Sequence, residues 1–454
     1  MLAVLRHRAY RRLFAAQVVA LVGTGLATVA LGLLAYDLAG ADAGSVLGTA
    51  LAIKMVAYVV IAPAVGAVAD RLPRRALMVS ADLVRAGIAL SLPFVGEVWQ
   101  VYVLVFLLQS ASAAFTPTFQ AVVPDVLPEE RDYTRALSMS RLAYDLESLF
   151  SPALAAALLS VVTYDRLFTG TVLGFLASAA LVVSTALPER AAATLPRTGG
   201  VFARATAGTR LFLGVPALRA LLALNLAVAA AGATVTVNSV VYVRDVLGLS
   251  ASAVPLALGA YGAGSMAVAL LLPRLLDRVP DRAVMLPGAL SLTVVFAGLG
   301  AVTAAREGSW RLPALLVLWA AFGAASSAVL TPAGRLVRRS VAPGDRTAAF
   351  AAQFSLSHGC WLLTYPLAGW LGAAGLGRAV LALGAIALGG ALLAVRLWPP
   401  ASAAASRATP AAPAPTAHVH ADLPLGHPHL VGAVRVPTGW RHSHGHLTDG
   451  LHAR

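Results

Sequence analysis

Apolar blocks of about 20 residues recur twelve times between Leu13 and Trp398, separated by short hydrophilic loops. Runs of that length fit a bilayer, and lipid offers the backbone no hydrogen-bond partner, so the spanning element must be a helix or a closed barrel. A barrel would show ten-residue alternating segments, and none are present. The predicted spans are 13–36, 45–69, 76–95, 101–123, 138–162, 167–187, 217–243, 253–273, 283–303, 312–334, 347–372 and 378–398. Charged residues make up 12% of the chain, against about 25% in soluble domains. The net charge of +14 does not indicate nucleic acid, because the arginines sit in the short loops and no basic domain carries them. The single cysteine, Cys360, excludes an intrachain disulfide framework. The basic segment Met1 to Arg12 has no small-residue cleavage site after the apolar run that follows, so that run reads as span 1. No nucleotide-binding motif supports an enzyme or an ATP-driven pump.

Orientation follows from the same arginines. One set of loops, from Arg6 through Arg346, holds 22 basic residues, and the opposite set holds five: Arg166, Arg244, Arg306, Arg311 and Arg378. The positive-inside rule places the rich set in the cytoplasm. Both termini are then cytoplasmic, in agreement with an even number of spans.

Residues 70–78 read DRLPRRALM and residues 277–285 read DRVPDRAVM, with six of nine positions identical at an offset of 207. Each segment joins the second and third spans of a six-span half. Two parallel six-helix halves form a transporter architecture, with the solute path between them. The expected organisation is a first bundle over 1–187, a linker over 188–216, a second bundle over 217–398 and a tail over 399–454. The fold class is thus all-α membrane protein, twelve transmembrane helices in two six-helix bundles, followed by a disordered cytoplasmic tail. The segment from Gly66 through Asp70, Arg71 and Leu72 to Arg74 and Arg75 resembles the G-x-x-x-D-R-x-x-R-R loop of the major facilitator superfamily. The resemblance implies alternating access by rocking of two bundles, with Asp70, Arg71, Arg74 and Arg75 latching the cytoplasmic side. In the second copy, Asp277, Arg278 and Arg282 would do the same. That copy has Pro273 in place of Gly66 and Asp281 in place of Arg74, which predicts a weaker latch.

Charge inside a span costs about 2.5–3.5 kcal/mol on insertion scales, so each case asks for a reason. Lys54, the only lysine, lies near the middle of span 2, and Asp145 and Glu147 lie in span 5. Asp37 and Asp82 sit nearer span ends, and no acid falls inside the predicted spans 7 to 12. Positions two apart point about 200° from each other on a helix, which separates the two acids of span 5. Asp145 follows Arg141 by four residues and can pair with it. Glu147 is the first choice for a proton- or metal-coupled carboxylate, with Lys54 as its partner. The alternative is a structural bridge. In span 11, His358 and Cys360 are both metal-ligand types, but the same angle keeps an unbroken helix from aiming both at one ion. Asn225 and Asn238 in span 7 offer neutral ligands or cross-helix hydrogen bonds.

After Trp398 the chain turns to Ala, Pro, Ser and Thr, a disordered linker by composition. His418, His420, His427, His429, His442, His444, His446 and His452 follow, eight of the ten histidines in the protein. Alternate residues of an extended chain share a side, so each His-x-His pair can chelate a divalent metal ion. Consecutive histidines, as in a purification tag, are absent. The segments around Lys54 to Tyr58, Arg141 to Glu147 and Ser357 to Trp361, with the tail from Arg441 to His446, Asp449 and His452, together resemble nickel-resistance exporters of the NreB type. That group is similar to the drug:proton antiporter branch. The resemblance implies proton-driven efflux of nickel or cobalt across the bacterial inner membrane by a monomer, with no resident cofactor. Glu147, Lys54, Asp145, His358, Asp37 and Asn238 would serve transport, and the tail histidines, with His358 and Cys360 as further candidates, would bind metal. The alternatives are export of a drug or metal chelate with the tail as regulator, and a membrane metal sensor.

Overall fold

The computed structural model of the chain describes residues 2–39, 43–68, 72–159, 161, 163–188, 206–249, 253–305, 307–398, 416–420, 434–437 and 439–444. Two compact units make up the chain, Met1–Trp398 and Pro399–Arg454.

The first unit is almost entirely helical. Its first half contains α1 (Arg8–Ala39), α2 (Ala43–Val68), α3 (Arg74–Ser91), α4 (Val98–Val126), α5 (Glu130–Leu159) and α6 (Tyr164–Val183). A short helix, Ala207–Gly214, lies within the predicted linker and leads into the second half. That half contains α7 (Pro216–Val241), α8 (Val254–Leu276), α9 (Asp281–Ala304), α10 (Arg311–Ser340), α11 (Arg346–Ala374) and α12 (Leu376–Leu397). Among the described residues, nine of these helices are both long and apolar enough to cross a membrane. The other three are α2, with a shorter apolar run over Thr49–Val65, and α5 and α11, which carry the polar residues discussed below.

Several helices outrun the bilayer. α5 and α10 have 30 residues each, about 45 Å at 1.5 Å per residue, against a hydrocarbon core of about 30 Å. Hydropathy therefore misplaced the start of α5. Its first turns contain Arg131, Asp132 and Arg135, which read as loop but are helical. Prolines occur inside α2, α4, α8, α9, α10 and α11. Each removes an amide donor, which membrane helices tolerate because neighbours and Ser or Thr hydroxyls satisfy freed carbonyls. Pro63 frees the Val59 carbonyl, which accepts from Ser355 Oγ of α11 at 2.7 Å.

The second half packs around fully buried Trp319, whose Nε1 donates to Ser239 Oγ at 2.8 Å. Its ring meets Tyr242 and Phe322 edge-on. α8 and α10 cross at a pair of glycines. A Cβ on Gly264 would lie 1.9 Å from the Ala320 carbonyl oxygen, and one on Gly323 would lie 1.9 Å from that of Tyr261. Small residues at a crossing let membrane helices approach backbone to backbone. Large apolar side chains such as Phe94, Leu381 and Val294 are left on the outside, a surface suited to lipid and unsuited to water.

The second unit is not helical where it is described. β1 (Thr416–His420), β2 (Val434–Val436) and β3 (Gly439–His444) form an antiparallel sheet with β3 in the middle. The run 399–415 and His427, His429, His446 and His452 lie outside the described residues.

The glycine crossing gives a stability prediction. Gly323→Ala forces backbone apart and is expected to cost about 1–3 kcal/mol, read as a lower melting temperature of the purified protein in detergent. Gly87→Ala, where a Cβ meets nothing within 4 Å, should leave that temperature unchanged.

Candidate functional site

The halves meet through charged residues at the arginine-rich end. Asp125, near the end of α4, is shared between two guanidinium groups. Arg74 of its own half lies 2.5 Å from one carboxylate oxygen, and Arg346 of the other half lies 2.5 Å from the second. Glu130 at the start of α5 holds Arg335 at 2.6 Å and also Arg339, both on α10. Arg335 Nη1 donates to Thr134 Oγ1 at 2.9 Å. Arg338 donates to the Pro128 carbonyl and lies over the Tyr133 ring, whose hydroxyl burial pushes above its usual acidity range. Arg131 reaches Asp277 at 3.1 Å, but this pair is exposed.

Deeper along the same contact, Arg141 and Asp145 form the i,i+4 pair expected from their spacing, at 3.1 Å. Ser265 of α8 completes it. Arg141 donates to Ser265 Oγ, which donates to Asp145 Oδ2 at 2.6 Å. A pair that could have been local to one helix is therefore a joint between halves.

Deeper still, α2 and α11 meet. Ser355 Oγ donates to the Val59 carbonyl at 2.7 Å. Tyr58 packs against Phe354 and takes His358 edge-on, with ring centroids 4.8 and 4.7 Å away. Tyr58 OH donates to Gln109 Oε1 of α4 at 2.8 Å, and Lys54 Nζ lies 5.7 Å from the Tyr58 ring. His358 Nδ1 lies 2.7 Å from the Phe354 carbonyl. A carbonyl only accepts, so Nδ1 carries the hydrogen and Nε2 is left as the acceptor or ligand atom. Glu147 of α5 lies within electrostatic range of Lys54, and Tyr144 hydrogen-bonds Gln17 of α1. The structure thus gathers Gln17, Lys54, Tyr58, Gln109, Tyr144, Glu147 and His358. Every one except His358 comes from the first half.

Other predicted residues fall elsewhere. Asp37 is exposed near the end of α1. Cys360 is a buried thiol. Asn225 and Asn238 are buried in α7. Both amide atoms of Asn225 and the Nδ2 of Asn238 lack a hydrogen-bond partner among the described residues. Asp70 and Arg71 of the first latch lie outside the described residues, as do the surroundings of Gly66. Arg75 donates to the Thr185 carbonyl at 2.7 Å and so ties α3 to the end of α6. Arg278 is exposed and Arg282 half-buried.

One sequence expectation needs correction. Asp82 is not at a span end but fully buried within α3, paired with Arg85, whose guanidinium lies 4.5 Å from the centroids of Phe115 and Phe175. The i,i+3 spacing of an acid and a base in an apolar run was the available signal. Asp281, just before the predicted span 283–303, opens α9 and is buried. At the second latch, Asp281 stands where the first has Arg74. It binds Arg335 and Arg339 of α10 at 3.1 and 2.9 Å. In the first half the base is on α3 and the acid on α4. In the second half the acid is on α9 and the base on α10, so the pair is reversed. Asp125 and Glu130 were missed because each reads as an ordinary loop acid.

The sequence profile described as Major Facilitator Superfamily matches residues 13–311 and 222–442. The chain belongs to the Major Facilitator Superfamily. Macrolide efflux protein A of Streptococcus pyogenes is 29% identical over 182 residues, 39% of this chain and 44% of that protein. Macrolide efflux protein A of Enterococcus faecalis is 30% identical over 153 residues, 32% of this chain and 47% of that protein. The chain spans less than half the length of these curated relatives. Among solved structures, a bacterial homologue of the iron transporter ferroportin in an outward-facing state superposes with a TM-score of 0.72 at 12% identity, covering 86% of this chain and 99% of that one. The human organic anion transporter MFSD10 gives 0.70 at 16%, covering 85% and 99%. These likenesses establish the superfamily fold in a multi-pass membrane protein.

Burial ranks the pairs. Removing one partner of a buried pair costs about 3–5 kcal/mol, whereas an exposed pair contributes about 0–1 kcal/mol. Asp125 and Arg346 are 15% and 12% exposed, against 66% for Arg131. Asp125→Ala is therefore expected to loosen the arginine-rich end, seen as faster hydrogen exchange at the adjoining ends of α3, α4 and α11. Arg131→Ala should change it little.

Proposed function

We propose that this protein is a proton-coupled efflux transporter of the bacterial inner membrane. The arginine-rich end, and with it both termini, would lie in the cytoplasm by the positive-inside rule. With the halves joined at that end, the conformation described is the outward-facing one. Return to the inward-facing state requires the Asp125 and Glu130 pairs to open.

The observation that carries the coupling assignment is the clustering of Lys54, Tyr58 and His358 where α2 meets α11, with Glu147 of α5 within electrostatic range of Lys54. A carboxylate that exchanges its ammonium partner for a proton changes the local charge by one. Such a change can bias a two-state equilibrium between bundles. His358 and Tyr58 put the second half in contact with that event, because the imidazole lies against the ring beside Lys54.

For the cargo, an organic molecule is the first reading. The aligned relatives are macrolide efflux proteins, and Tyr58, Gln109, Tyr144 and His358 supply ring faces and hydrogen-bonding groups suited to one. Lys54 adds a basic group to the same cluster, which is unfavourable company for a bare divalent cation. A second reading, efflux of nickel or cobalt as the sequence resemblance implies, is favoured by the histidine-rich tail.

Accumulation measurements in a sensitive host separate the two. Cells expressing the protein are expected to hold less macrolide, with unchanged nickel, and the difference should vanish on adding a protonophore. Glu147→Gln should abolish it while the variant remains in the membrane at normal level. Lower cell nickel with unchanged macrolide would transfer the assignment to the metal. Full efflux by Glu147→Gln would remove Glu147 from the coupling mechanism.

A further inference from the structure

The tail contains a constellation that the spacing of histidines along the chain does not reveal. β1 and β3 pair antiparallel with Thr416 opposite His444, His418 opposite His442 and His420 opposite Trp440. Residues directly opposite one another in an antiparallel ladder share a face, and so do alternate residues along each strand. His418, His420, His442 and His444 are therefore all positions of one face. Ala417, Val419, Arg441 and Ser443 occupy the other. β2 extends the first face, because Arg435 stands opposite Trp440. The Arg435 guanidinium lies 5.7 Å from the Trp440 ring centroid, a contact that fits both residues on that face.

We propose that this face of the β1–β3 ladder is a histidine site, built on the His418–His442 pair with one flanking histidine, for a first-row transition-metal cation of the zinc, nickel and copper class. His418 and His442 form the central pair, with about 5 Å between the Cβ atoms of opposed residues. His420 and His444 lie beyond that pair in opposite directions, about 7 Å along each strand, so one ion takes the central pair and one of these two as its third ligand. Neutral imidazoles suit these metals, whereas oxygen donors suit magnesium and calcium. The site needs strand pairing. Slipping the register by one residue would move one strand's histidines to the opposite face. The assignment is independent of which solute the membrane helices carry.

The test keeps composition constant and changes only the face. In the full-length protein purified in detergent, zinc and nickel are titrated by calorimetry at neutral pH. The wild type is compared with a transposed variant carrying His442→Ser and Ser443→His, and with a double variant, His427→Ala with His429→Ala. The transposed variant is expected to lose affinity by about tenfold or more, the scale of losses at metal-supporting positions. The His427 and His429 variant should stay within about twofold. Wild-type affinity should fall as pH drops below about 6.5, where imidazole protonates. Unchanged affinity in the transposed variant would mean that the tail binds metal by histidine content alone. An equal loss in the His427 and His429 variant would place the site outside the sheet. No binding by the wild type would rule out the site altogether. Each of these results overturns the proposal.

Discussion

Backbone amides in hydrocarbon have no water to turn to, and this one constraint shapes the rest of the first unit. It makes every crossing segment a helix and favours a mid-helix proline where another group takes over the freed carbonyl, as Ser355 does for Val59 below Pro63. It also confines charge to places where a partner is already built. Asp82 lies against Arg85 between two aromatic rings. Asp145 has Arg141 and Ser265. Lys54 has Glu147 and the Tyr58 ring. Each such arrangement fixes the spacing of two or more helices, so the polar residues specify the packing that the uniform apolar surfaces leave open.

The reversal of charge between repeats follows the same logic. A base on α3 and an acid on α4 close one helix pair, and an acid on α9 and bases on α10 close its counterpart. Because the polarities are opposite, the first half presents carboxylates, Asp125 and Glu130, toward the second half, which presents Arg346, Arg335 and Arg339 in return. Two identical copies would have set like charges against each other. The departure of Asp281 from the repeat is thus part of what makes the two halves complementary.

Twelve helices, their pairing into halves and the Arg141–Asp145 contact were legible because they rest on period, length and local spacing, which a linear sequence carries. The involvement of Ser265 was not legible, since it depends on how α5 meets α8 across 120 residues of chain. Asp125 and Glu130 looked like ordinary loop acids for the same reason. Lys54 and Glu147 stand out in the sequence because they are rare, the only lysine and a mid-span glutamate with no basic residue three or four positions away. In the tail, alternation along each strand was readable. The register that brings two strands' histidines to one face was not, because pairing depends on residues more than 20 positions apart.

An interface that closes one side of a transporter must also open. A dry apolar contact between the halves would gain about 25 cal/mol for each Å² buried and return nothing when it parts. An ionic contact behaves differently. Closing it strips water from guanidinium and carboxylate groups, and that cost offsets most of the attraction gained. Opening gives the hydration back, so a set of short, close ion pairs can define the closed geometry sharply while leaving the two states within the few kcal/mol that a population shift requires. Partial exposure strengthens the argument, because Glu130 and Arg339 are 39% and 46% exposed and begin to hydrate before the halves separate. Deeper in the membrane water is scarcer, and there the joints change character: a serine to a carbonyl, a tyrosine against an imidazole. The gradient from charged to neutral contacts along the α2–α11 and α5–α8 lines is what an opening movement needs if it starts at the wet end and reaches Glu147 last.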